Sequence, residues 1–357
     1  MNDINVLLVT QHVPHYRIPI YNMLNKEVKL TVLHNQIKLD HSACKFNKVY
    51  TSLGSIGPFL YFKMNLNKFC QSFDVVIFES SIRFIDRNII TILPWKKYKW
   101  IAWGIGQAAS YDKRLGDRDL FKSIRMFLQK KSDASILYSS FPLSSYIEKG
   151  IDSNAIFIAN NTVALDCVAK PNLDKDIILF IGTLYKQKKL MELIEAYRVA
   201  SERCNLSIPL VIIGEGCERN KLESYVRKFK LQSLITFLGH VEDAHILSKN
   251  FSSALACISP GQAGLSVLTS MANSVPFVTR EDAITGGEIF NINSDKNKTG
   301  VIYKTKGELV DLLCDINTDK SKYIEMGCRA RDYYVNFRLP EYMINSIVDA
   351  VEYVVRK

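Results

Sequence analysis

Two segments of this sequence have the residue types and spacing of a phosphate site. In the first, Gly182 ends the apolar run DIILFIG and a lysine-rich stretch containing Lys188 follows. In the second, SPGQAGLSVLTSMANSVPFVT, Gly261 and Gly264 lie in a loop before a short apolar helix. The N-terminus of a helix presents free backbone N–H groups and a partial positive charge, and glycine lets a phosphate approach the backbone. Together the segments predict that an anionic ligand binds here.

Both segments also have a structural interpretation. Glycines occur wherever a strand turns tightly into a helix, and three clustered lysines can simply be a solvated helix start. A further glycine turn, IIGEGCERNKL, favours the phosphate site. A lysine beside a diphosphate neutralises its charge, which is the role expected for Lys188. The candidate N–H donors at the helix start are Gly264, Leu265 and Ser266.

Two series of short apolar strands must position these residues. The first series lies between Ile4 and Asn160, and the pattern restarts at Asp176. Strands without strict alternation, separated by helical segments, are typical of a parallel sheet covered on both faces. At 357 residues the chain also exceeds the roughly 250 to 300 residues that one core serves. The sequence therefore predicts an α/β fold of two doubly wound, Rossmann-like domains, over residues 1–165 and 170–340. Ligands of such sheets bind beyond the carboxyl ends of the strands.

The C-terminal segment predicts a helix over residues 341–357 that crosses back onto the first domain. Helical sequence begins before it, at Val335, and Pro340 is expected to interrupt the helical segment from Val335 to Lys357, because proline lacks the N–H that a helix interior needs. The domain boundary is expected in the polar, proline-containing stretch between Val163 and Asp176.

Charge divides unevenly along the chain. Residues 1–165 carry 21 Lys and Arg against 12 Asp and Glu, so nearly all of the net charge of +10 lies there. This asymmetry indicates an anionic partner such as a phospholipid or a lipid diphosphate, although a basic half also aids solubility. The segment DLFKSIRMFLQKK, Asp119 to Lys131, combines an apolar helix face with basic residues and suits the inner face of a membrane. A helix packed on the sheet explains it equally well.

Several function classes are disfavoured. No apolar run reaches the length of a membrane span, and the N-terminus has no basic region of a signal peptide, so a cytoplasmic protein is expected, possibly peripheral at the membrane. No recognition motif for nucleic acid accompanies the basicity. The eight cysteines have no ligand spacing, which predicts reduced, mostly buried thiols with neither a disulfide framework nor a zinc site. The sequence has no Asp-x-Asp cluster where a metal–diphosphate site would need one, so no metal or resident cofactor is expected.

From about Asp176 to Tyr303 the sequence resembles the donor domain of GT-B glycosyltransferases, most closely family 4, a retaining group that uses nucleotide sugars. The resemblance rests on the order and spacing of blocks that include FIGTLYKQKKLMELIEAY, LVIIGEGCERNKL, ITFLGHVEDAHILSKNFSSALACISP and TGGEIFNINSDKNKTGVIY. It implies a catalytic role for Lys188 beside the diphosphate and places Glu288 near the donor. The donor-binding residues that it implies are Gly182, Thr183, Gly214, Gly216, His240, Gly261, Gly264, Leu265, Ser266 and Thr269. The first half is less similar, through HVPHYRIPIYNML, WGIG and NNTVALD, which look like acceptor-side and hinge elements.

The departures from the family fall on the glycine segment. Family members have two glutamates eight positions apart, one contacting the transferred sugar and one the nucleotide ribose, where this sequence has Gly261 and Thr269. Thr183 replaces the usual arginine after the first glycine. Retaining transfer does not require a carboxylate nucleophile as a glycosidase does. If Lys188 holds the departing diphosphate, a phosphate oxygen can take the acceptor's proton, as is proposed for the family.

In the first domain the residues after the first strand are the candidate acceptor-binding group, although each is equally suited to capping or packing. They are His12, His15, Tyr16 and Arg17. The resemblance then implies two domains that face a cleft, and transfer of a sugar from a nucleotide-sugar donor to a glycan or lipid-diphosphate glycan acceptor. A role in lipopolysaccharide or capsule biosynthesis follows from the bacterial members. The alternatives are a nucleotide-sugar epimerase of the same fold and a catalytically inactive sugar-nucleotide binding module.

Overall fold

The computed structural model describes residues 3–40, 42–106, 121–165, 172, 174–292 and 298–357. The chain divides into two compact units. Of the described residues, the first unit contains those of 3–106, 121–164 and 340–357, and the second contains those of 165–339. The predicted boundary stretch and Cys167 lie partly or wholly outside the described residues.

The first unit is built on a seven-stranded parallel sheet. Its strands, with a small antiparallel hairpin of β4 and β5, are β1 (Asn5–Val9), β2 (Lys29–His34), β3 (Asn47–Tyr50), β4 (Leu53–Ile56), β5 (Phe59–Phe62), β6 (Val75–Glu79), β7 (Lys99–Gly104), β8 (Ala134–Leu137) and β9 (Ile156–Ile158). Its helices are α1 (Ile18–Glu27), α2 (Leu66–Cys70), α3 (Ile85–Thr91), α4 (Lys122–Lys130) and α5 (Leu143–Glu148). The strand order is β3-β2-β1-β6-β7-β8-β9, so the chain reverses its direction of travel across the sheet between β1 and β6.

The alternation of side chains along β1 explains why Val6–Val9 are all apolar. Val6 and Leu8 belong to one hydrophobic core, and Leu7 and Val9 belong to another. Because successive side chains point to opposite faces of a strand, a sheet with a core on each face needs apolar residues at every position. The prediction of a doubly wound sheet from such runs is confirmed.

The second unit repeats this design with six main strands. Its strands are β10 (Ile177–Ile181), β11 (Leu210–Ile213), β12 (Ile235–Gly239), β13 (Ala254–Ile258), β14 (Gln262–Ala263), β15 (Phe277–Arg280), β16 (Ile284–Thr285) and β17 (Gly300–Tyr303). Its helices are α6 (Leu190–Cys204), α7 (Arg219–Lys228), α8 (Ala244–Ser252), α9 (Ser266–Ala272), α10 (Lys306–Thr318) and α11 (Lys320–Phe337). The main sheet has the order β12-β11-β10-β13-β15-β17 and all its pairs are parallel. Here the direction reverses between β10 and β13, and β14 and β16 form a small separate pair.

The last helix, α12 (Pro340–Arg356), packs on the sheet of the first unit, against β7, β8 and β9. The predicted interruption at Pro340 is present as a break between two helices that immediately precedes the proline. Helix α11 ends at Phe337, and Pro340 is the first residue of α12. The first position of a helix needs no N–H partner, and the fixed φ of proline suits it.

The cysteine prediction is wrong at one pair. Cys204, the last residue of α6, forms a disulfide with Cys314 of α10, and their Cα atoms are 5.8 Å apart. The two residues are separated by 110 positions, so only the packing of α10 against α6 reveals the pairing. Cys44, Cys70 and Cys257 are buried free thiols, whereas two further free cysteines, at positions 217 and 328, are exposed.

Candidate functional site

The predicted donor residues lie mainly in two loops at the carboxyl edge of the second sheet. We call residues 182–189, which follow β10, the lysine loop, and residues 259–265, which follow β13, the glycine loop. Strands β10 and β13 are hydrogen-bonded neighbours, and the chain reverses its direction across the sheet between them. In open α/β sheets this switch point is where ligands bind.

Lys188 is the buried cation of the lysine loop. Its side chain is only 8% exposed, and its Nζ atom lies 3.1 Å from where a Cβ on Gly182 would be. Gly182 has φ +146°, a conformation that glycine adopts readily, so its lack of a side chain leaves room for the ammonium group. Burial lowers the pKa of Lys188 to about 8. Among the described residues, no carboxylate or other hydrogen-bond acceptor contacts this ammonium group.

Gly261 fits tightly against the lysine loop. Its N–H donates to the backbone oxygen of Lys188 at 3.0 Å, and a Cβ at this position would lie 1.9 Å from the backbone oxygen of Gln187. No side chain can be added here without moving the backbone that carries Lys188. The glutamate that the sequence resemblance implies at this position would therefore require the backbone contact between the two loops to shift.

The rest of the glycine loop leads directly into α9. Val267 is the first residue of this turn whose N–H donates a hydrogen bond within the turn, to the oxygen of Gly264 at 2.9 Å. Leu265 and Ser266, half-buried at the start of the helix, precede that donor. The hydroxyl of Thr269, which stands at the second glutamate position, donates to the oxygen of Leu265 at 3.1 Å within the helix. That hydroxyl therefore keeps its lone pairs as acceptors for a ligand.

Gly214 and Gly216 shape the lysine loop from the neighbouring strand. A Cβ on Gly214 would lie 2.0 Å from the oxygen of Gly182, and one on Gly216 would lie 2.3 Å from the oxygen of Leu184. Both glycines have positive φ, +142° and +159°. These two glycines let the backbones of neighbouring segments approach closely and so support the conformation of the lysine loop. This is the packing role that the sequence left open as an alternative to ligand binding.

Glu288 is buried beside the glycine loop. Its carboxylate accepts hydrogen bonds from the N–H of Gly286 at 2.9 Å and from the hydroxyl of Thr285 at 3.2 Å. The strand pair β14–β16 and a hydrogen bond from the N–H of Ile284 to the oxygen of Gly261 connect this turn to the glycine loop. The local contacts of Glu288 hold the turn that adjoins the loop.

The structure places His240 and Thr183 at more exposed positions. His240 follows β12, the edge strand, and its Nε2 atom lies 3.0 Å from a carboxylate oxygen of Glu242. Strand β11 separates β12 from β10, so His240 is two strands away from the lysine loop. Thr183 is exposed at the start of that loop.

The sequence interpretation missed one polar pair at this edge. The Tyr185 hydroxyl donates to the side-chain oxygen of Gln262 at 2.5 Å and thereby links the two loops. The Nζ atom of Lys188 lies 5.9 Å from the centre of the Tyr185 ring. The two partners are 77 positions apart, so no spacing in the sequence could indicate them.

The four residues predicted to bind the acceptor separate into two kinds. His12 and His15 are exposed and Tyr16 is half-buried after β1. Arg17 is 6% exposed, and its guanidinium donates to the side-chain oxygen of Asn161 at 2.8 Å. It also lies 5.6 Å from the ring centre of Trp103, so its contacts lie within the core of the first unit.

Neither a membrane span nor a metal-binding cluster is found among the described residues. No helix in the described part of the chain is both long and apolar enough to cross a membrane. Within the same residues, no group of three or more His, Cys, Asp or Glu side chains is placed to hold a metal ion.

The segment that contains these loops is similar to known proteins. Residues 168–333 match the model of the family described as glycosyl transferases group 1. A curated relative, alpha-monoglucosyldiacylglycerol synthase of Acholeplasma laidlawii, is 24% identical over 145 residues, which are 40% of this chain. The match spans 35% of the length of that relative.

Solved structures share the fold over the whole chain. Anabaena HepE, in complex with UDP and glucose, aligns with a TM-score of 0.72 at 12% identity and covers 98% of this chain and 99% of its own. The lipopolysaccharide outer core galactosyltransferase WaaB aligns with a TM-score of 0.67 at 15% identity and covers 98% of this chain and 99% of its own. The fold and the family match define a glycosyltransferase of the GT-B class, which confirms the predicted class. The match to the glycosyl transferases group 1 model covers most of the second unit.

Proposed function

We propose that this protein transfers a sugar from a nucleotide-sugar donor to a lipid-linked glycan acceptor, with retention of the anomeric configuration, in the biosynthesis of a surface polysaccharide such as lipopolysaccharide or capsule. The observation that carries the proposal is the position of Lys188. It is a buried ammonium group without an acidic partner among the described residues, at the switch point of the sheet that matches the glycosyltransferase family. A bound diphosphate would supply the missing counter-charge.

The chemistry follows from what the two loops present. As the bond between sugar and diphosphate breaks, negative charge accumulates on the leaving phosphate oxygens. Lys188 and the N–H groups at the start of α9 would stabilise that charge, and such preorganised groups are commonly worth several kcal/mol. A leaving-phosphate oxygen would accept the proton of the acceptor hydroxyl, which attacks from the face that the phosphate leaves. This sequence gives retention and uses neither an enzyme nucleophile nor a resident cofactor.

The donor is tested by thermal unfolding in the presence of a panel of nucleoside diphosphates. A ligand at 100 times its dissociation constant adds about 2.7 kcal/mol to the free energy of unfolding. We expect at least one nucleotide to stabilise the protein and Lys188→Ala to abolish that effect. Absence of stabilisation by every nucleotide would contradict the donor assignment.

A catalytically inactive sugar-nucleotide binding module is the second candidate. The tight contact at Gly261 and the helix-bonded hydroxyl of Thr269 favour it, because neither position supplies an acid to the donor. Donor turnover separates the candidates: a transferase consumes the donor only with an acceptor, an epimerase converts it without one, and a binding module leaves it unchanged. Nuclear magnetic resonance of the product then gives its anomeric configuration.

Association with an anionic membrane surface is supported by the first unit. The exposed apolar side chains of α4 and its flank, Phe121, Ile124 and Phe127, are each about half exposed or more (49%, 54% and 52%). They lie among Lys122, Lys130 and Lys131 in the sequence, and the predicted members Asp119 and Leu120 lie outside the described residues. Of the two interpretations of this segment, their exposure favours a membrane-facing helix over one packed on the sheet.

Vesicle sedimentation tests this association. We expect binding to vesicles that contain anionic lipid and a marked loss of binding in the double variant Ile124→Ser, Phe127→Ser. The matched control is Phe229→Ser, which removes an exposed aromatic side chain from the second unit. Equal binding by the double variant and the control would contradict the membrane assignment.

A further inference from the structure

A buried arginine in the first unit has no counter-ion bonded to it. Arg87 of α3 is 1% exposed, and its Nε and Nη2 atoms are buried without a hydrogen-bond partner. Its Nη1 atom donates to the backbone oxygen of Val9 at 3.3 Å, and its guanidinium lies 4.0 Å from the ring centre of Phe84. Burial lowers the pKa of Arg87 to about 10. A buried, incompletely bonded charge is costly, so its presence in a folded protein calls for an explanation.

Arg87 lines a cavity with an empty volume of about 400 Å³, including its open mouth. The enclosed part of this space is larger than a single water molecule needs. Its other polar lining residues are Glu79, Ser80, Ser81, Asn88, Thr91, Arg125 and Gln129. The cavity is therefore polar enough to hold a small charged group and lies against an incompletely bonded guanidinium.

The cavity also lies at the switch point of the first sheet. Arg87 bonds the last residue of β1, while Phe78 and Glu79 at the end of β6 line the cavity. Strands β1 and β6 are the neighbours between which the chain reverses its direction across the sheet. This is the position at which open α/β sheets bind ligands, and it corresponds to the position of Lys188 in the second unit.

We propose that this cavity, with Arg87 at its base and Arg125 on its wall, binds a phosphate group. Its source is either the head group of the acceptor or free phosphate. The acceptor assignment rests on the proposed transferase function, whereas the phosphate site does not. Arg17 is less suited to this role because its guanidinium already bonds Asn161 and the thioether of Met343.

The charges around the cavity favour an anion. Two arginines face one carboxylate there, that of Glu79, which already accepts a hydrogen bond from the Thr10 hydroxyl at 2.7 Å. The carboxylate of Asp86 accepts from the backbone N–H groups of Phe62 and of Arg87 itself. Neutral donors thus hold both carboxylates in place, and the described residues that line the cavity carry two positive charges against one negative charge.

The test compares Arg87→Met with Arg17→Met in the full-length protein. Methionine removes the charge and keeps a similar length, so replacing an incompletely bonded buried charge should leave the melting temperature unchanged or raise it. The same change at Arg17 breaks a satisfied hydrogen bond and should lower it. Inorganic phosphate is titrated by calorimetry in a Lys188→Met background, so that the second unit does not contribute. We expect Arg87→Met to weaken phosphate binding at least tenfold and Arg17→Met to leave it within twofold.

Unchanged phosphate affinity in Arg87→Met, or no phosphate binding by the Lys188→Met parent, would overturn the proposal. If Arg87→Met does not fold, Arg125→Gln decides the question: at least a threefold loss supports the site, and no loss overturns it. Failure of the donor proposal would appear separately, as nucleotide binding that Lys188→Met does not alter.

Vesicles distinguish the two sources of phosphate. Neutral vesicles with and without phosphatidic acid are sedimented with the parent and with Arg87→Met. Loss of the phosphatidic acid-dependent binding in Arg87→Met would support the site and assign it to a lipid head group. Equal vesicle binding, with phosphate affinity lost, would support the site and assign it to soluble phosphate.

Discussion

The switch points of the two units differ in what lines them: mainly backbone atoms in the second unit and mainly side chains in the first. In the second unit the lysine and glycine loops meet through backbone atoms, because Gly182 and Gly261 leave space that side chains would fill, and the lysine loop contributes one buried cation, Lys188. In the first unit large side chains such as Arg87 and Trp100 line the cavity between the helices. Both places nevertheless combine a reversal in strand order with a buried, incompletely paired cation.

This comparison shows two ways to prepare a site for an anion. Glycine loops supply N–H groups at no cost in side-chain entropy and let a diphosphate come close to the backbone. A buried guanidinium supplies charge and a planar set of donors, but it is expensive until an anion arrives. The first arrangement suits a ligand whose charge grows during a reaction, and the second suits a ligand that is only held.

The largest effect is expected from Lys188→Ala. It removes the buried cation of the lysine loop, so kcat/KM for the donor should fall by about 10²- to 10³-fold. Steady-state kinetics measures this loss, and thermal unfolding should show no destabilisation, because an unpaired buried charge is removed. Lys186→Ala, an exposed lysine of the same loop, is the matched control and should retain activity within a few-fold. Wild-type kinetics in Lys188→Ala would refute the role of the lysine loop.

The next effect tests the backbone contact between the two loops. Introducing by Gly261→Glu the glutamate that the sequence resemblance implies here should lower the free energy of unfolding by about 1–3 kcal/mol, because its Cβ would collide with the lysine loop. Activity should fall rather than rise. Thr269→Glu, on half-buried α9, is the control and should be tolerated better. Denaturant unfolding and donor turnover measure both variants, and a stable, more active Gly261→Glu would show that the loops accommodate an acid.

The smallest effect is a pH dependence. Lys188 has a pKa lowered to about 8, so the free enzyme loses the ammonium charge above that pH and kcat/KM for the donor should fall about tenfold per pH unit. The stability of the ligand-free protein changes in the opposite direction. The unfolded lysine binds its proton up to a higher pH, so folding gains stability as pH rises from about 8 toward the ordinary lysine pKa. A Lys188→Arg variant should flatten the kinetic profile, and an unaltered profile in that variant would assign the titration to another group.

The prediction of the fold from sequence succeeded because its cause is local. Runs such as Val6–Val9 of β1 and the whole of β10 are apolar at every position, which a sheet covered on both faces requires, and the turn after β10 contains glycine. The interruption at Pro340 was predicted, but not that the proline begins the next helix, because proline can either end or begin a helix and only the end of α11 at Phe337 decides between them. The disulfide between Cys204 and Cys314 was missed because the packing of two helices, rather than any local spacing, brings the sulfur atoms together.

The candidate site was predicted in part for the same reason. The sequence by itself determined the alternation of strands and helices, the positions of the glycine turns and the identity of Lys188, since each depends on neighbours along the chain. Only the tertiary structure decided that Gly261 has no room for a side chain, that Tyr185 bonds Gln262 and that the Nε and Nη2 atoms of Arg87 lack hydrogen-bond partners. These outcomes depend on which distant segments meet at the carboxyl edge of each sheet. Close packing there decides which positions have room for a side chain and which polar atoms find a hydrogen-bond partner.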